Sequence, residues 1–326
     1  MATRAFAVLL IAVLALSGCA TLMEVTIDEL IKQGIELFTA RRYDEAIAKF
    51  LEVVRRDPKQ WTAYLYMARS YIAKADWSNA LTNARQAFQL APRSGDVIPA
   101  LAEALFGAGL DAFKQGQFQT AIGHLVEYIK LRPTDANGYL QLGRAFLSTG
   151  SWGDALRTIV QGLTQSPDAA TRGQLVRGLF DGGVQALSAG NATAAIGLLQ
   201  EYVKQGPDAS GYLQLGRAFL TTGAWTEALR ALVQGLAQSP DATTRNELVR
   251  SLLDGGTRAL TSGNAKGAIG LLQEYVRHDT GNVSAFVNLG KAYWQDGSLT
   301  NAMGAFQRVL QLSPNNAEAL QFIRGR

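Results

Sequence analysis

Six basic residues recur at fixed places along this 326-residue chain and are its most suggestive chemistry. Arg69, Arg144, Arg217 and Lys291 each directly follow a small residue (Ala68, Gly143, Gly216, Gly290), and Arg177 and Arg250 recur one after the other in a second, equivalent slot where earlier copies carry Asp28 and Glu103. Such a ladder suits an acidic segment, a peptide carboxylate or an anionic polymer, because guanidinium groups pair bidentately with planar anions. Recurrence alone is also what duplication leaves behind, and arginines in these slots would equally well bridge neighbouring repeats. Classical catalytic chemistry is nearly absent. The two histidines, His124 and His278, lie far apart with no cysteine beside them, so both read as surface or packed side chains rather than metal ligands. No nucleophile elbow, phosphate-binding loop or zinc-protease helix motif is present, which leaves no catalytic or metal residue to name and no cofactor to expect. The formal charge of +4 is too mild to argue for nucleic acid.

The elements that must position the ladder follow from an internal repeat. Gly138–Gln205 aligns without a gap on Gly211–His278, with 48 of 68 positions identical at a shift of 73 residues. Each copy holds two smaller units. A small residue, another small residue twelve further on and a proline twelve beyond that recur eight times, as in Gly143, Ala155, Pro167 and Gly216, Ala228, Pro240, and only Thr280 departs from the proline slot. This is the mark of two antiparallel helices per unit, since small residues permit close helix approach and proline ends the pair by lacking an N–H. Gly116, Gly150, Gly190, Gly223, Gly263 and Gly297 supply the turn between the two helices. Extra residues after Pro92, Pro167 and Pro240 predict a longer first helix in every second unit, so the module is a pair of repeats. The double glycines Gly182–Gly183 and Gly255–Gly256 inside two of these long helices predict tight crossings, with a kink as the rival outcome.

These spacings, with Y-x-x-L-G-x-x-F at Tyr139–Phe146 and Tyr212–Phe219 and F-x-x-L-G-x-x-Y at Phe286–Tyr293, resemble the tetratricopeptide repeat. The resemblance implies an all-α chain, an α-solenoid wound as a right-handed superhelix, of eight helix pairs in four two-repeat modules over residues 27–314. It implies too that the first helices line a concave face, where Arg69, Arg144, Arg177, Arg217, Arg250 and Lys291 become candidate partner-binding residues. A short cap over residues 315–326 is expected from Asn316 followed by Ala317, Ala319, Leu320 and Ile323. An apolar row four residues after each small residue, from Phe38 and Ile72 through Leu147 and Leu220 to Trp294, reads as inter-repeat core or as a groove for a partner helix. Trp294, bulky and nearest the end, is the member expected to be exposed and a further candidate contact.

The first residues read as an address. Arg4 precedes twelve apolar residues, Ala5–Leu16, fewer than the roughly 20 that span a bilayer. Leu16, Ser17, Gly18 and Cys19, the chain's one cysteine, resemble the lipobox of bacterial lipoproteins. That resemblance implies removal of residues 1–18, a covalent lipid such as palmitate on Cys19, a short tether over residues 19–26 and, with Ala20 rather than Asp next, a place on the periplasmic face of the outer membrane. The expected function is a non-enzymatic adaptor for protein partners of a cell-envelope machine, among them outer-membrane protein insertion, pilus or secretin assembly, polysaccharide export and peptidoglycan enzyme docking. The alternative is direct binding of an anionic exopolysaccharide or other envelope polymer.

Overall fold

The computed structural model describes residues 25–324, and every regular element among them is an α-helix. In chain order these are α1 (Ile27–Thr39), α2 (Tyr43–Arg56), α3 (Trp61–Ala73), α4 (Trp77–Leu90), α5 (Val97–Lys114), α6 (Phe118–Leu131), α7 (Ala136–Ser148), α8 (Trp152–Thr164) and α9 (Ala169–Ser188). There follow α10 (Ala192–Gln205), α11 (Ala209–Thr222), α12 (Trp225–Ala237), α13 (Ala242–Thr261), α14 (Ala265–His278), α15 (Val283–Gln295), α16 (Leu299–Leu312) and α17 (Ala317–Arg324). The chain divides into two compact units, with the boundary inside α5 between Asp111 and Ala112.

Local sequence sets the helix limits. The turns that join the two helices of a repeat need one residue of positive φ, and Gly116, Gly150, Gly190, Gly223, Gly263 and Gly297 take it at +70° to +80°. In the first two repeats the same bend falls on Arg41 and Ala75, at 59° and 56°, where a Cβ is disfavoured. First helices begin under side-chain caps: Asp135, Asp168, Asp208, Asp241 and Asn282 each accept a backbone N–H from the first turn. The prolines sit just beyond the second helices and prevent them from running on. As the extra residues predict, α5, α9 and α13 are long, at 18, 20 and 20 residues against 13 for α7.

In the first unit, Leu30, Phe50, Val53, Ala63 and Met67 make the core, and Leu65, Ala87, Val97 and Ala100 extend it. Gly34 is required there, because a Cβ would lie 2.6 Å from the Phe50 ring. In the second unit, neighbouring helices pack pair on pair and the first helices α7, α9, α11, α13 and α15 contact one another in turn. Leu175, Leu179, Leu198 and Leu199 and, one module later, Leu248, Leu252, Leu271 and Leu272 are fully buried. Each such side chain contributes about 1.5–3 kcal/mol of transfer free energy. The double glycines mark tight crossings inside α9 and α13, which run unbroken through them. A Cβ on Gly182 or Gly255 would meet the preceding first helix at Leu147 or Leu220, 2.5 Å away, and one on Gly183 or Gly256 would meet Leu199 or Leu272 at 2.6 Å.

A polar staple recurs where a second helix hands over to the next first helix. Tyr128, Tyr202 and Tyr275 donate their hydroxyls to Asp135, Asp208 and Asp279, at 2.5 Å and 2.8 Å in the latter two. Burial and the carboxylate acceptor hold all three phenols above their ordinary pKa. At the far end, α17 covers the last repeat: Ala319 is buried and Phe322 lies 4.2 Å from Phe306, ring centre to ring centre. Asn316 caps α17 by accepting the Ala319 N–H at 3.0 Å.

Candidate functional site

Cys19 and the apolar run before it lie outside the described residues. Among the described residues no helix is long and apolar enough to cross a membrane. The basic ladder, in contrast, is fully placed, and it divides into two classes of side chain.

Four of the six cations reach forward to a later helix of the stack or to the turn that leads into it. Arg144 donates from Nη2 to Gln174 Oε1 at 3.0 Å, and Arg217 from Nη2 to Glu247 Oε2 at 3.1 Å, each joining a first helix to the next one. Within the first unit Arg69 lies 3.4 Å from Asp96 and its guanidinium covers the Tyr66 ring at 5.4 Å. Lys291 pairs with Glu318 at the start of α17. Bridging is therefore what these four side chains do.

Arg177 and Arg250 behave differently. Each approaches only the carboxylate one turn ahead, Asp181 or Asp254, at 4.0 Å, and the side chains are 83% and 82% exposed. Pairs so exposed contribute about 0–1 kcal/mol, so these guanidinium groups can exchange partner at little cost.

The two classes meet in a pair of open pockets. One is lined by Arg144, Leu147, Ser148, Gln174, Arg177, Gly178, Asp181 and Gln185, and also by Phe113. The other is lined by Arg217, Leu220, Thr221, Glu247, Arg250, Ser251, Asp254 and Arg258. The eight positions are the same, displaced by 73 residues. Each pocket thus has an apolar floor (Leu147 or Leu220), a small hydroxyl beside it, one arginine held by the neighbouring helix and one arginine turned outward. Four differences separate them: Ser148 against Thr221, Gln174 against Glu247, Gly178 against Ser251 and Gln185 against Arg258. An arginine-lined cleft of this kind can bind carboxylates; among the described residues no group of histidine, cysteine or carboxylate side chains could hold a metal ion.

The remaining candidates are placed as follows. Trp294 is 49% exposed and stands edge-on to Phe322 of α17 at 4.8 Å, so it belongs to the capped end and not to either pocket. Of the rest of the apolar row, Leu220 and Leu260 are buried and Phe38, Ile72, Phe113, Leu147 and Leu187 half-buried, and Phe113, Leu147 and Leu220 also line the two pockets. His278 sits beside Glu274 at 3.2 Å on its own helix. Sequence reasoning missed the pocket partners Gln174, Glu247, Asp181, Asp254 and Arg258. The pairs Arg177–Asp181 and Arg250–Asp254 were available as i,i+4 signals. The reach of Arg144 and Arg217 over 30 residues was not, because it depends on how two helices stack.

Comparison with known proteins places these observations in a family. The family model described as tetratricopeptide repeat matches residues 31–97, 106–170, 180–243 and 253–317, well over half of the chain. Among curated proteins, a tetratricopeptide repeat protein 16 from Mus musculus is 24% identical over 144 residues, which is 44% of this chain and 19% of that protein, so the match spans about a fifth of the relative. Among solved structures, the C-terminal part of a TPR repeat-containing protein from Cytophaga hutchinsonii is 17% identical, with 90% of this chain and 99% of that one covered at a TM-score of 0.34. A chain of the Naa15/Naa10 complex bound to HypK-THB is 13% identical, with 92% and 61% covered at a TM-score of 0.43.

Proposed function

We propose that this chain, which belongs to the tetratricopeptide repeat family, is a non-enzymatic protein–protein interaction scaffold that holds its partner on the first-helix face of the second unit. The observation that carries this is the repetition of one open, arginine-lined pocket at two equivalent places in the stack. A fold whose helices are spent on packing one another offers a surface, and a surface that repeats suits a ligand that extends along it. We further propose that the scaffold is anchored by lipid on Cys19 to the periplasmic face of the outer membrane and serves a cell-envelope machine. Support for that part comes from the residues Leu16–Cys19 and the apolar run before them. Residues 20–26 extend at most ~25 Å, which would keep the repeats near the bilayer surface.

The experiment is purification of the tagged chain after cross-linking in intact cells of its source, with wild type beside Arg177→Glu plus Arg250→Glu. One defined assembly recovered with wild type and lost with the variant supports the scaffold and its site. Recovery of an anionic polysaccharide instead, lost with the same variant, would favour polymer binding. Mass analysis of the mature N-terminus checks the anchor: acyl groups on Cys19 are expected, and an unmodified start elsewhere contradicts it.

A further inference from the structure

We infer that the two pockets act together as a ruler for an extended acidic peptide, with Arg177 and Arg250 each receiving one carboxylate and the carboxylates set about six residues apart. The inference rests on the scaffold reading and gives its partner a chemistry and a register.

The assignment of roles comes from what each arginine already holds. Arg217 is tied to Glu247 at 3.1 Å and Arg144 to Gln174 at 3.0 Å, so these two fix the pocket walls. Arg177 and Arg250 sit at the 4.0 Å limit from Asp181 and Asp254 with more than four-fifths of each side chain in solvent. A ligand carboxylate can take either guanidinium bidentately, which a carboxylate 4.0 Å away on the same helix does not. The acid's methylene groups would then rest on Leu147 or Leu220, and its backbone within reach of Ser148 or Thr221, which line the same pockets.

The spacing follows from the repeat. Neighbouring helices pack 8–10 Å apart, and one module separates Arg177 from Arg250 by two first-helix steps, so the two sites lie ~20 Å apart. An extended chain rises about 3.3 Å per residue, which sets the two acids about six residues apart. Side chains of an extended chain alternate in direction, so an even separation of this size also points both acids to the same side. A compact dianion cannot bridge that distance, whereas a peptide engaging one site presents the second acid to the other at high effective concentration.

The test uses the purified full-length chain and fluorescein-labelled synthetic peptides carrying two glutamates about six residues apart, with otherwise identical peptides spaced about three and about ten apart. Anisotropy titration should show the middle spacing binding about tenfold or more tighter than the others. Arg177→Ser or Arg250→Ser should each reduce it to the level of the wrongly spaced peptides, with helicity by circular dichroism unchanged. Asp181→Asn with Asp254→Asn, which removes the competing carboxylates, should tighten binding of the middle peptide. Equal binding of all three spacings overturns the ruler, as does wild-type affinity in Arg177→Ser and Arg250→Ser. Tight binding of polygalacturonate with no binding of any peptide overturns it in favour of a polymer. If the cross-linked assembly above is captured equally by wild type and by Arg177→Ser plus Arg250→Ser, the scaffold stands and the ruler falls.

Discussion

The modules Gly138–Gln205 and Gly211–His278 are two copies of one design in which the glycine crossings have stayed the same and the rim has drifted. Inside, a Cβ on Gly182 or Gly183 would fall 2.5 or 2.6 Å from Leu147 or Leu199, and one on Gly255 or Gly256 would fall at the same distances from Leu220 or Leu272. At the rim, a neutral bridge from Arg144 to Gln174 has become a charged one from Arg217 to Glu247, and Gln185 has become Arg258. Both changes leave each pocket with a single net positive charge, since Glu247 offsets Arg258. What is held fixed is therefore helix approach and pocket sign, while the means of joining one helix to the next is free to vary.

The comparison is most directly broken at the glycines. Gly183→Ala and Gly256→Ala should each destabilise the chain by about 1–3 kcal/mol, and by the same amount, because the added Cβ drives into the branch point of a buried leucine in both. Urea unfolding followed by circular dichroism reads this, and a tolerated change in one copy alone would show that the two crossings are not equivalent.

The turns come next in size. Gly150→Ala and Gly223→Ala place a Cβ at φ +70° and +76° and should each cost about 1 kcal/mol. The first unit supplies the reverse case, since Ala75→Gly at φ 56° should gain up to about 1 kcal/mol, the relieved left-handed strain less the added freedom of the unfolded chain. A loss of thermal stability in Ala75→Gly would contradict this reading of the turn.

The rim should respond less. Arg217→Ala removes a half-exposed ion pair and should cost about 0.2–1 kcal/mol at low salt, falling as salt rises, whereas the cost of Arg144→Ala should not depend on salt. Identical salt dependence in the two variants would remove the distinction between the charged and the neutral bridge.

The smallest effect expected is at the helix caps of α9 and α13. Asp168 and Asp241 each accept N–H and hydroxyl hydrogen bonds from Thr171 or Thr244, and these hold both carboxyls below the usual range. A depressed folded pKa contributes stability that is present above the ordinary aspartate pKa and is lost as pH falls through the folded value. Asp168→Asn and Asp241→Asn should therefore flatten the acid limb of the stability curve equally, by removing a small contribution made at neutral pH.

Much of this was legible before any coordinates. The turn glycines were, because a positive φ admits few other residues, and the two repeats that bend at Arg41 and Ala75 are those where the sequence offered no glycine to find. The double glycines were legible as close crossings, although not which leucine each one faced. The ladder was legible as recurrence. Its division into bridging and outward-facing arginines was not, because the acceptor of Arg144 or Arg217 lies 30 residues away on another helix and its choice depends on side-chain reach. Pockets assembled from two helices leave no contiguous motif; they were visible only as a 73-residue echo whose meaning needed the stacking.

The most direct test of the account is site-specific photo-cross-linking in cells, with a photoreactive side chain at Ser148, at Thr221 or, as a control on the second helix α8, at exposed Arg157. One protein partner captured from both position 148 and position 221, and not from 157, is the predicted result. Capture from 157 alone would place recognition on the second helices and contradict the claim that the paired pockets are where this scaffold holds its partner.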